Sequence, residues 1–180
     1  ETWATKHMFA GIPGFAALDA SYDSALDIEE ALVFLQHLTG GAADVLKCFD
    51  QIIPLLVHRL LHTAGMPQRV LRAYIAFHKG LLIRNVLAGT IGKAYGRNGS
   101  IPQGCPLSMM IIALAMRPWI VGMRRANCKP RVLADDLLLT ASGDNHAKHF
   151  FEGYTLTFAY LKDMGARAAM EKCLTFSTSA

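Results

Sequence analysis

Two adjacent carboxylates, Asp135 and Asp136, lie between short apolar runs and have the side chains needed to hold a divalent cation. Residues 131–133 before them and 137–139 after them predict two β-strands joined by a tight acidic turn. Such a turn places the carboxylates at the edge of a packed sheet, where their oxygens are the ligands that Mg²⁺ prefers. A solvated hairpin tip has the same local sequence, so the turn alone does not decide between these two interpretations.

Two further features of the chain favour the metal-binding interpretation. Asp44 ends a short predicted strand, and the Gln103-Gly104 turn precedes a long apolar run. Carboxylates on neighbouring strands can bridge two magnesium ions, of which one activates an attacking hydroxyl and the other stabilises the leaving pyrophosphate. We therefore predict Asp44 and Asp135 as metal ligands, with Asp136 in an auxiliary position. These features, in this order and spacing, are what a nucleotide-polymerising palm requires.

The elements that must position these residues follow from the spacing of apolar side chains. Helices are predicted over about residues 18–38, 52–62 and 109–123, from Pro67 onward, and through residues 150–161. The first of them is predicted from Leu18, Tyr22, Ala25, Ile28, Leu32 and Leu35, and Gly40-Gly41 are predicted to end it. The predicted strands are one ending at residues 44–48, a hairpin of residues 81–87 and 90–95 closed by Ala88-Gly89, the acidic hairpin, and residues 173–178.

The order of these elements predicts an α+β fold. Without the segment from about 66 to 125, the order is strand, helix, strand, strand, helix, strand, which is the split β-α-β, ferredoxin-like arrangement. In that topology the first strand lies beside the acidic hairpin, so Asp44 meets Asp135 and Asp136. We predict partial helical fingers at residues 1–40 and a palm at residues 41–180, without a thumb. Residues 66–125 contribute a fingers-like insertion and the helix after Gln103-Gly104.

Composition and charge narrow the class of protein further. A hydrophobic content of 52% is enough to fill a core, so a disordered chain is excluded, and the net charge of +4 is compatible with a polyanionic partner. Four cysteines without a C-x-x-C pair favour a reduced intracellular compartment, in the nucleus or the cytoplasm. The run 109–123 is too short to span a bilayer, so no membrane partner is expected. The chain begins at Glu1, and we expect it to be a segment of a longer open reading frame.

Four segments together carry a family resemblance. Residues 44–50 (DVLKCFD) resemble the D-x-x-K-x-F-D motif A of non-long-terminal-repeat and group II intron-like reverse transcriptases. Residues 101–108 (IPQGCPLS) resemble their motif B, and residues 133–136 (LADD) their motif C. Residues 165–172 with the last strand resemble motif D. The resemblance covers nearly the whole chain and implies a palm with part of the fingers of such an enzyme.

The resemblance also implies roles for individual residues. Asp44 and Asp135 would be the catalytic metal ligands, and the carbonyl of Val45 would be a third ligand. Phe49 would block a ribose 2′-hydroxyl, although a core phenylalanine under the sheet is the alternative. Lys172 would lie near the leaving pyrophosphate, or else is a solvated surface lysine.

Motif B and the basic residues would contact the nucleic acid and the incoming nucleotide. Gln103 and Gly104 would contact the template strand and the nucleotide, because Gly permits close backbone approach and Gln offers a donor and an acceptor. A template–primer groove or simply a solvated face is predicted for Arg69, Arg72, Lys79, Arg84, Arg124, Arg125, Lys129 and Arg131.

The function implied by the resemblance is that of the RNA-directed DNA polymerase core of a retroelement. Such a core adds dNTPs to the 3′-hydroxyl of a DNA or RNA primer on an RNA template, with two Mg²⁺ ions for which Mn²⁺ can substitute. Its further partner would be the remainder of a larger polyprotein or open reading frame. Two alternatives stay open: an inactive or truncated remnant that binds nucleic acid or protein, and an RNA-dependent RNA polymerase, which Phe49 disfavours.

Overall fold

A four-stranded antiparallel sheet forms the centre of the protein. The computed structural model describes residues 4–96, 101–102 and 104–178. In chain order its elements are α1 (Ala17–Val33), β1 (Leu38–Asp44), α2 (Cys48–Gln51), α3 (Pro54–Thr63), α4 (Gln68–Gly80), β2 (Leu82–Ile83), β3 (Val86–Leu87), β4 (Thr90–Ile91), β5 (Tyr95–Gly96), α5 (Ser108–Arg125), β6 (Lys129–Leu133), β7 (Asp136–Ser142), α6 (His146–Asp163), a 3-10 helix (Met170–Lys172) and β8 (Leu174–Ser177).

The strand order of the sheet is β6-β7-β1-β8, and every neighbouring pair is antiparallel. This order is the one expected for a split β-α-β arrangement, in which the first strand lies between the hairpin and the last strand. The predicted α+β class is confirmed. Strands β1 and β7 pair along their whole length, from Leu38 opposite Ser142 to Asp44 opposite Asp136.

Helices α5 and α6 cover one face of the sheet and enclose the core. Alternate residues of β6 and β7, including Val132, Leu137 and Leu139, are buried with α5 in a single apolar cluster. The buried Trp119 of α5 donates its indole N–H to the Thr157 hydroxyl of α6 at 2.9 Å, which satisfies a polar group inside that cluster. Helix α5 lies within the segment assigned from sequence to an insertion, and it contacts β6, α3 and α6.

Two glycines lie inside β1, where the sequence predicted the end of the preceding helix. That boundary is wrong: α1 ends at Val33, and β1 runs through Gly40 and Gly41. A Cβ atom on Gly40 would lie 2.4 Å from the ring of Phe176, and one on Gly41 would lie 2.8 Å from the Leu174 carbonyl oxygen. At Gly41 the contact is with backbone, so this position needs glycine for the close approach of β8, whereas the Phe176 side chain next to Gly40 can move.

The remaining predicted elements are confirmed with small shifts of their ends. The segment after α4 forms two nested strand pairs, β2 with β5 and β3 with β4. Ala88 and Gly89 close the inner pair, both with positive φ angles, of 47° and 79°. In the described part of the chain, no helix combines the length and hydropathy needed to cross a bilayer.

Helix α1 is confirmed, but the apolar residues that predicted it do not form its buried side. Leu18, Tyr22 and Leu32 are each more than half exposed, whereas Ala20 and Ala31 are buried. The reason is a charge cluster on β6, which holds the opposite side of the helix against the sheet and is described below.

Candidate active site

Two carboxylates face each other at one end of the sheet. Asp44, the last residue of β1, is directly opposite Asp136, the first residue of β7. Directly opposite residues of an antiparallel pair point to the same face of the sheet, with Cβ atoms about 4.5–5.5 Å apart. The register therefore brings together two residues that are far apart in the sequence.

The third carboxylate lies in the turn between β6 and β7. Leu133 pairs with Asp136, so Ala134 and Asp135 form a two-residue turn, and Ala134 adopts a left-handed conformation with a φ of 56°. The carbonyl of Asp135 accepts a hydrogen bond of 3.2 Å from the N–H of Val45. This bond ties the turn to the residue that follows β1.

The proximity of the three carboxylates shifts the pKa values of groups around them. Burial, and then the charges of Asp135 and Asp44, raise the pKa of Asp136 above its ordinary value. Burial and the same two charges raise the pKa of the Cys48 thiol to about 12, so this cysteine remains protonated. The site is thus a concentration of negative charge that favours a bound cation.

Lys172 supplies a positive charge at this site. Its ammonium lies 2.6 Å from Oδ2 of Asp44, and this contact raises the pKa of Lys172. The backbone positions it, because the Asp44 carbonyl accepts a 2.8 Å hydrogen bond from the Ala169 N–H, three residues before Lys172. A second 2.8 Å bond joins the Leu46 N–H to the Arg167 carbonyl. Lys172 is 66% exposed, so its side chain can leave Asp44 without unpacking the core.

The other motif A residues lie close to the end of β1. Val45 is buried and forms a β-bridge with Ala168. Phe49 lies in the short helix α2, half-buried, with its ring packed against the core cluster. Its carbonyl accepts a hydrogen bond of 2.8 Å from Ile101, which connects motif A to the start of motif B.

Motif B forms a turn in front of α5. Gln103 lies outside the described residues. Gly104 is exposed with a φ of 82°, and nothing lies within 4 Å of the position that a Cβ would occupy. The Cys105 sulfur lies 3.6 Å from the Tyr74 hydroxyl, which connects this turn to α4.

The carboxylate oxygens of this site are suitable ligands for a hard divalent cation, but their arrangement is not that of a complete metal site. Asp44, Asp135 and Asp136 offer carboxylate oxygens, and Mg²⁺ usually takes only one or two protein carboxylates together with waters and substrate phosphates. Among the described residues, no group of three or more His, Cys, Asp and Glu side chains is arranged to hold a metal ion. The Lys172 ammonium occupies Oδ2 of Asp44, one of the two carboxylate oxygens that this residue offers a cation.

Two of the basic residues predicted for a template groove have another role. Arg131 is only 2% exposed, and its guanidinium contacts Asp23 and Asp27 of α1 and the hydroxyl of Thr140. Lys129 binds the same two carboxylates, with its ammonium 2.7 Å from Asp27. For Arg131 both interpretations, groove and solvated face, are wrong because the side chain is buried. Lys129 lies on a solvated face, 42% exposed, where it forms ion pairs with α1. The sequence contains a signal for this pairing. Two basic residues lie two positions apart on a strand, and two acidic residues lie four positions apart on a helix, so each pair shares one face of its element.

The sheet has the strand order of a split β-α-β arrangement, with carboxylates at the adjoining ends of β1 and β7. The family model described as reverse transcriptase (RNA-dependent DNA polymerase) matches residues 5–180. The chain therefore belongs to the reverse transcriptase family, whose enzyme class is the nucleotidyltransferases that make DNA on an RNA template.

Solved telomerase structures share the fold. Apo telomerase from Candida tropicalis, truncated from its C-terminal domain, has a TM-score of 0.69 and 14% identity, covering 91% of this chain and 36% of that one. Telomerase from Candida albicans in complex with a TWJ fragment of telomeric RNA has a TM-score of 0.66 and 13% identity, covering 92% and 31%. The chain thus spans about a third of the length of these structures. No curated protein sequence matches it.

Proposed function

We propose that this chain is the RNA-directed DNA polymerase core of a retroelement of the non-long-terminal-repeat or group II intron-like type. It adds deoxynucleotides to the 3′-hydroxyl of a DNA or RNA primer on an RNA template. The observation that carries the proposal is the pairing of Asp44 with Asp136, beside the turn that holds Asp135. The core works as part of a larger polyprotein or open reading frame, since the matching structures are about three times as long as this chain.

The division of the chain into fingers and palm is part of the proposal. Residues 1–40 form part of the fingers, and residues 41–180 form the palm. Within the palm, residues 66–125 supply a fingers-like insertion and the motif B helix. In support, α4 and the two nested strand pairs lie outside the four-stranded sheet, whereas α5 packs on it.

The carboxylate end of the sheet holds the catalytic cations. Two Mg²⁺ ions, or Mn²⁺ in their place, supply the Lewis acidity for nucleotidyl transfer. Asp44, Asp135 and the carbonyl of Val45 are the ligands, and Asp136 assists from the opposite strand. Lys172 leaves Asp44 and offsets the charge of the departing pyrophosphate, to which its ammonium can donate a proton.

Residues next to this site select the sugar and position the template. The ring of Phe49 excludes a ribose 2′-hydroxyl, and its place on the helix directly after β1 supports this role. Gln103 and Gly104 contact the template strand and the nucleotide. The open space around Gly104 and its left-handed backbone support close approach of a nucleic-acid strand to the main chain.

The cysteines support an intracellular site of action. Cys48, Cys105, Cys128 and Cys173 are all free. Unpaired thiols persist in reducing compartments, so we place the activity in the nucleus or the cytoplasm.

Primer extension tests the proposal directly. The chain is incubated with an RNA template, a DNA primer and Mg²⁺, and deoxynucleotide and ribonucleotide incorporation are compared. We expect deoxynucleotide incorporation that falls by at least about a hundredfold in Asp135→Ala, because a lost metal ligand removes several kcal/mol of transition-state stabilisation. Asp144→Asn is the matched control, since this exposed carboxylate follows the far end of β7 and should leave the rate unchanged.

Other outcomes would identify the alternatives. Preferential incorporation of ribonucleotides would support an RNA-dependent RNA polymerase and would remove the role proposed for Phe49. Extension that survives Asp135→Ala would place the chemistry elsewhere. If neither nucleotide is incorporated with Mg²⁺ or Mn²⁺, and binding of the primer–template is still measured, the chain is an inactive remnant that binds nucleic acid.

A further inference from the structure

One side of α1 presents a row of apolar residues to solvent. Leu18, Tyr22, Leu26 and Val33, here called the outer stripe, are 61%, 61%, 62% and 73% exposed. Their spacing of four, four and seven residues places them along one side of a helix with 3.6 residues per turn. Phe34 and Leu35 extend the apolar surface directly after the helix, at 66% and 89% exposure. Glu29, which is also exposed, lies in the same row between Leu26 and Val33. A cluster of exposed apolar residues next to charged ones marks a site of interaction.

The outer stripe faces solvent because the other side of α1 is anchored. Asp23 and Asp27 bind Arg131 and Lys129 of β6, with 2.6 Å between Asp23 Oδ2 and Arg131 Nε. Ala20, on the same side of the helix, is buried. Turning the helix to bury the stripe would remove these carboxylates from a buried guanidinium and leave its charge unpaired, which is strongly unfavourable. The exposure therefore follows from a specific contact and is not a sign of a loosely packed helix.

The charges around the outer stripe indicate what kind of molecule binds there. Helix α1 contains five acidic residues and no Lys or Arg, although the whole chain has a net charge of +4. Arg131 and Lys129 neutralise Asp23 and Asp27, whereas Asp19, Glu29 and Glu30 are exposed. Glu29 lies within the row of the outer stripe, and Glu30 lies between the stripe and Asp27, with which it lines a surface cavity. Exposed carboxylates repel the phosphates of a nucleic acid, and the α1 helix of a second copy would bring like charges together.

We propose that the outer stripe of α1 is a docking surface for an amphipathic helix of a partner protein, with an apolar face flanked by Lys or Arg. The apolar face covers Leu18, Tyr22, Leu26 and Val33, while Lys or Arg side chains of the partner pair with Glu29 in the same row and with Glu30 at its edge. The surface lies on the solvent side of α1, away from the carboxylates of the sheet. The proposal therefore does not depend on polymerase activity.

Binding of two model peptides tests this surface. Both are helices of about 18 residues with an identical leucine face, and one has only Lys on its polar face where the other has only Glu. Fluorescence anisotropy with the full chain should show at least about tenfold tighter binding of the Lys peptide. Overall charge favours the Glu peptide, because the chain is net positive. A preference for the Lys peptide therefore reports the local acidic surface.

Substitutions in α1 test whether the peptide binds at the outer stripe. Tyr22→Ser with Leu26→Ser should weaken binding of the Lys peptide by about tenfold or more, since two apolar contacts are lost. Glu29→Lys with Glu30→Lys should reverse the preference between the peptides. Phe151→Ser is the control, because this α6 residue is 71% exposed and apolar but lies on another helix. Circular dichroism checks that the helix content is unchanged.

Three results would overturn the proposal. The first is absence of Lys-peptide binding at high micromolar concentration. The second is an equal effect of Phe151→Ser and the outer-stripe variants. The third is a dimer in light scattering that Leu26→Ser dissociates, which would make a second copy of the chain the occupant.

Discussion

At the scale of single residues, the site concentrates negative charge that costs stability. Asp136 is opposite Asp44 and adjacent to Asp135 in the chain, and its pKa is raised by burial and by those two charges. The folded state therefore holds the Asp136 proton more tightly than the unfolded state does, and folding becomes less favourable as this proton is lost. A bound cation would offset this negative charge, which destabilises the cation-free protein.

The first prediction concerns Asp136→Asn in a cation-free buffer. Below the ordinary carboxylate pKa of about 4, residue 136 is neutral in both proteins, and their melting temperatures should differ little from each other. As the pH rises through the raised pKa, the wild type should become less stable than the variant. The difference should stay below about 1 kcal/mol, because the Asp136 side chain is only partly shielded from solvent, which screens its charge. That corresponds to at most about 2–4 °C in melting temperature.

Thermal unfolding at pH 3 and pH 8 measures this difference. Addition of Mg²⁺ at pH 8 should raise the melting temperature of the wild type more than that of the variant, since only the wild type has all three carboxylates. A gap between the two proteins that is the same at both pH values would contradict the assigned pKa direction.

At the scale of the elements, β1 depends on close contacts that only glycine permits. The Cβ position of Gly41 lies 2.8 Å from the backbone oxygen of Leu174 and 2.8 Å from the ring of Phe150. Leu174 belongs to the neighbouring strand β8 and Phe150 belongs to helix α6, so a side chain at position 41 would collide with both elements. Gly40, by contrast, meets only the side chain of Phe176, which can rotate away.

The second prediction is that Gly41→Ala destabilises the protein by about 1–3 kcal/mol, because an overpacked position must displace backbone. Gly40→Ala should cost less. Gly122→Ala is the matched control: it lies in α5 with nothing within 4 Å of its Cβ position and should be neutral or stabilising by up to about 1 kcal/mol. Urea unfolding measures all three. Equal effects at Gly40 and Gly41 would show that the backbone contact has no special cost.

At the scale of the whole molecule, ion pairs connect α1 to the sheet. Arg131 is almost completely buried, and its partners Asp23 and Asp27 come from a helix more than a hundred positions earlier in the chain. Burial opposes the charged form of Asp23, but its hydrogen bond and ion pair with Arg131 lower the pKa of Asp23 overall. A lowered carboxylate pKa contributes stability above the unfolded value of about 4, and this contribution is lost as the pH falls through the lowered pKa.

The third prediction is that Arg131→Met destabilises the protein by about 2 kcal/mol at pH 7. This is less than the 3–5 kcal/mol typical of a broken buried pair, because Lys129 still binds both carboxylates. The difference from the wild type should begin to narrow below about pH 4, where the unfolded state takes up a proton at Asp23, and should narrow further as the pH falls through the lowered pKa of Asp23. Urea unfolding at pH 7 and pH 3, with limited proteolysis of α1 at pH 7, measures the effect. Equal destabilisation at both pH values would point to lost packing instead of lost charge.

Much of the fold follows from local sequence patterns and a few topological rules. The acidic hairpin and the nested hairpin were predictable because their turns connect adjacent strands. The meeting of Asp44 with Asp136 was predictable because a split β-α-β order leaves little choice of neighbours. The roles of Phe49 and Lys172 were inferred from resemblance and stay predictions.

Features that depend on distant partners were not predictable in this way. The outward face of α1 is set by Arg131, and no periodicity within the helix reveals a guanidinium on another element. Gly40 and Gly41 usually indicate a helix end, and only the three-dimensional neighbours Phe176 and Leu174 explain why they lie in a strand.

The contact between Lys172 and Asp44 bears on how the protein matures. Many small metal domains are unfolded until their ion arrives, because ligand binding supplies their folding free energy. Here the chain brings its own counter-charge, so a newly synthesised molecule can form the complete sheet before any ion is captured. Under the proposed function, the supply of divalent ions would control when the finished protein works and would leave its folding yield unaffected.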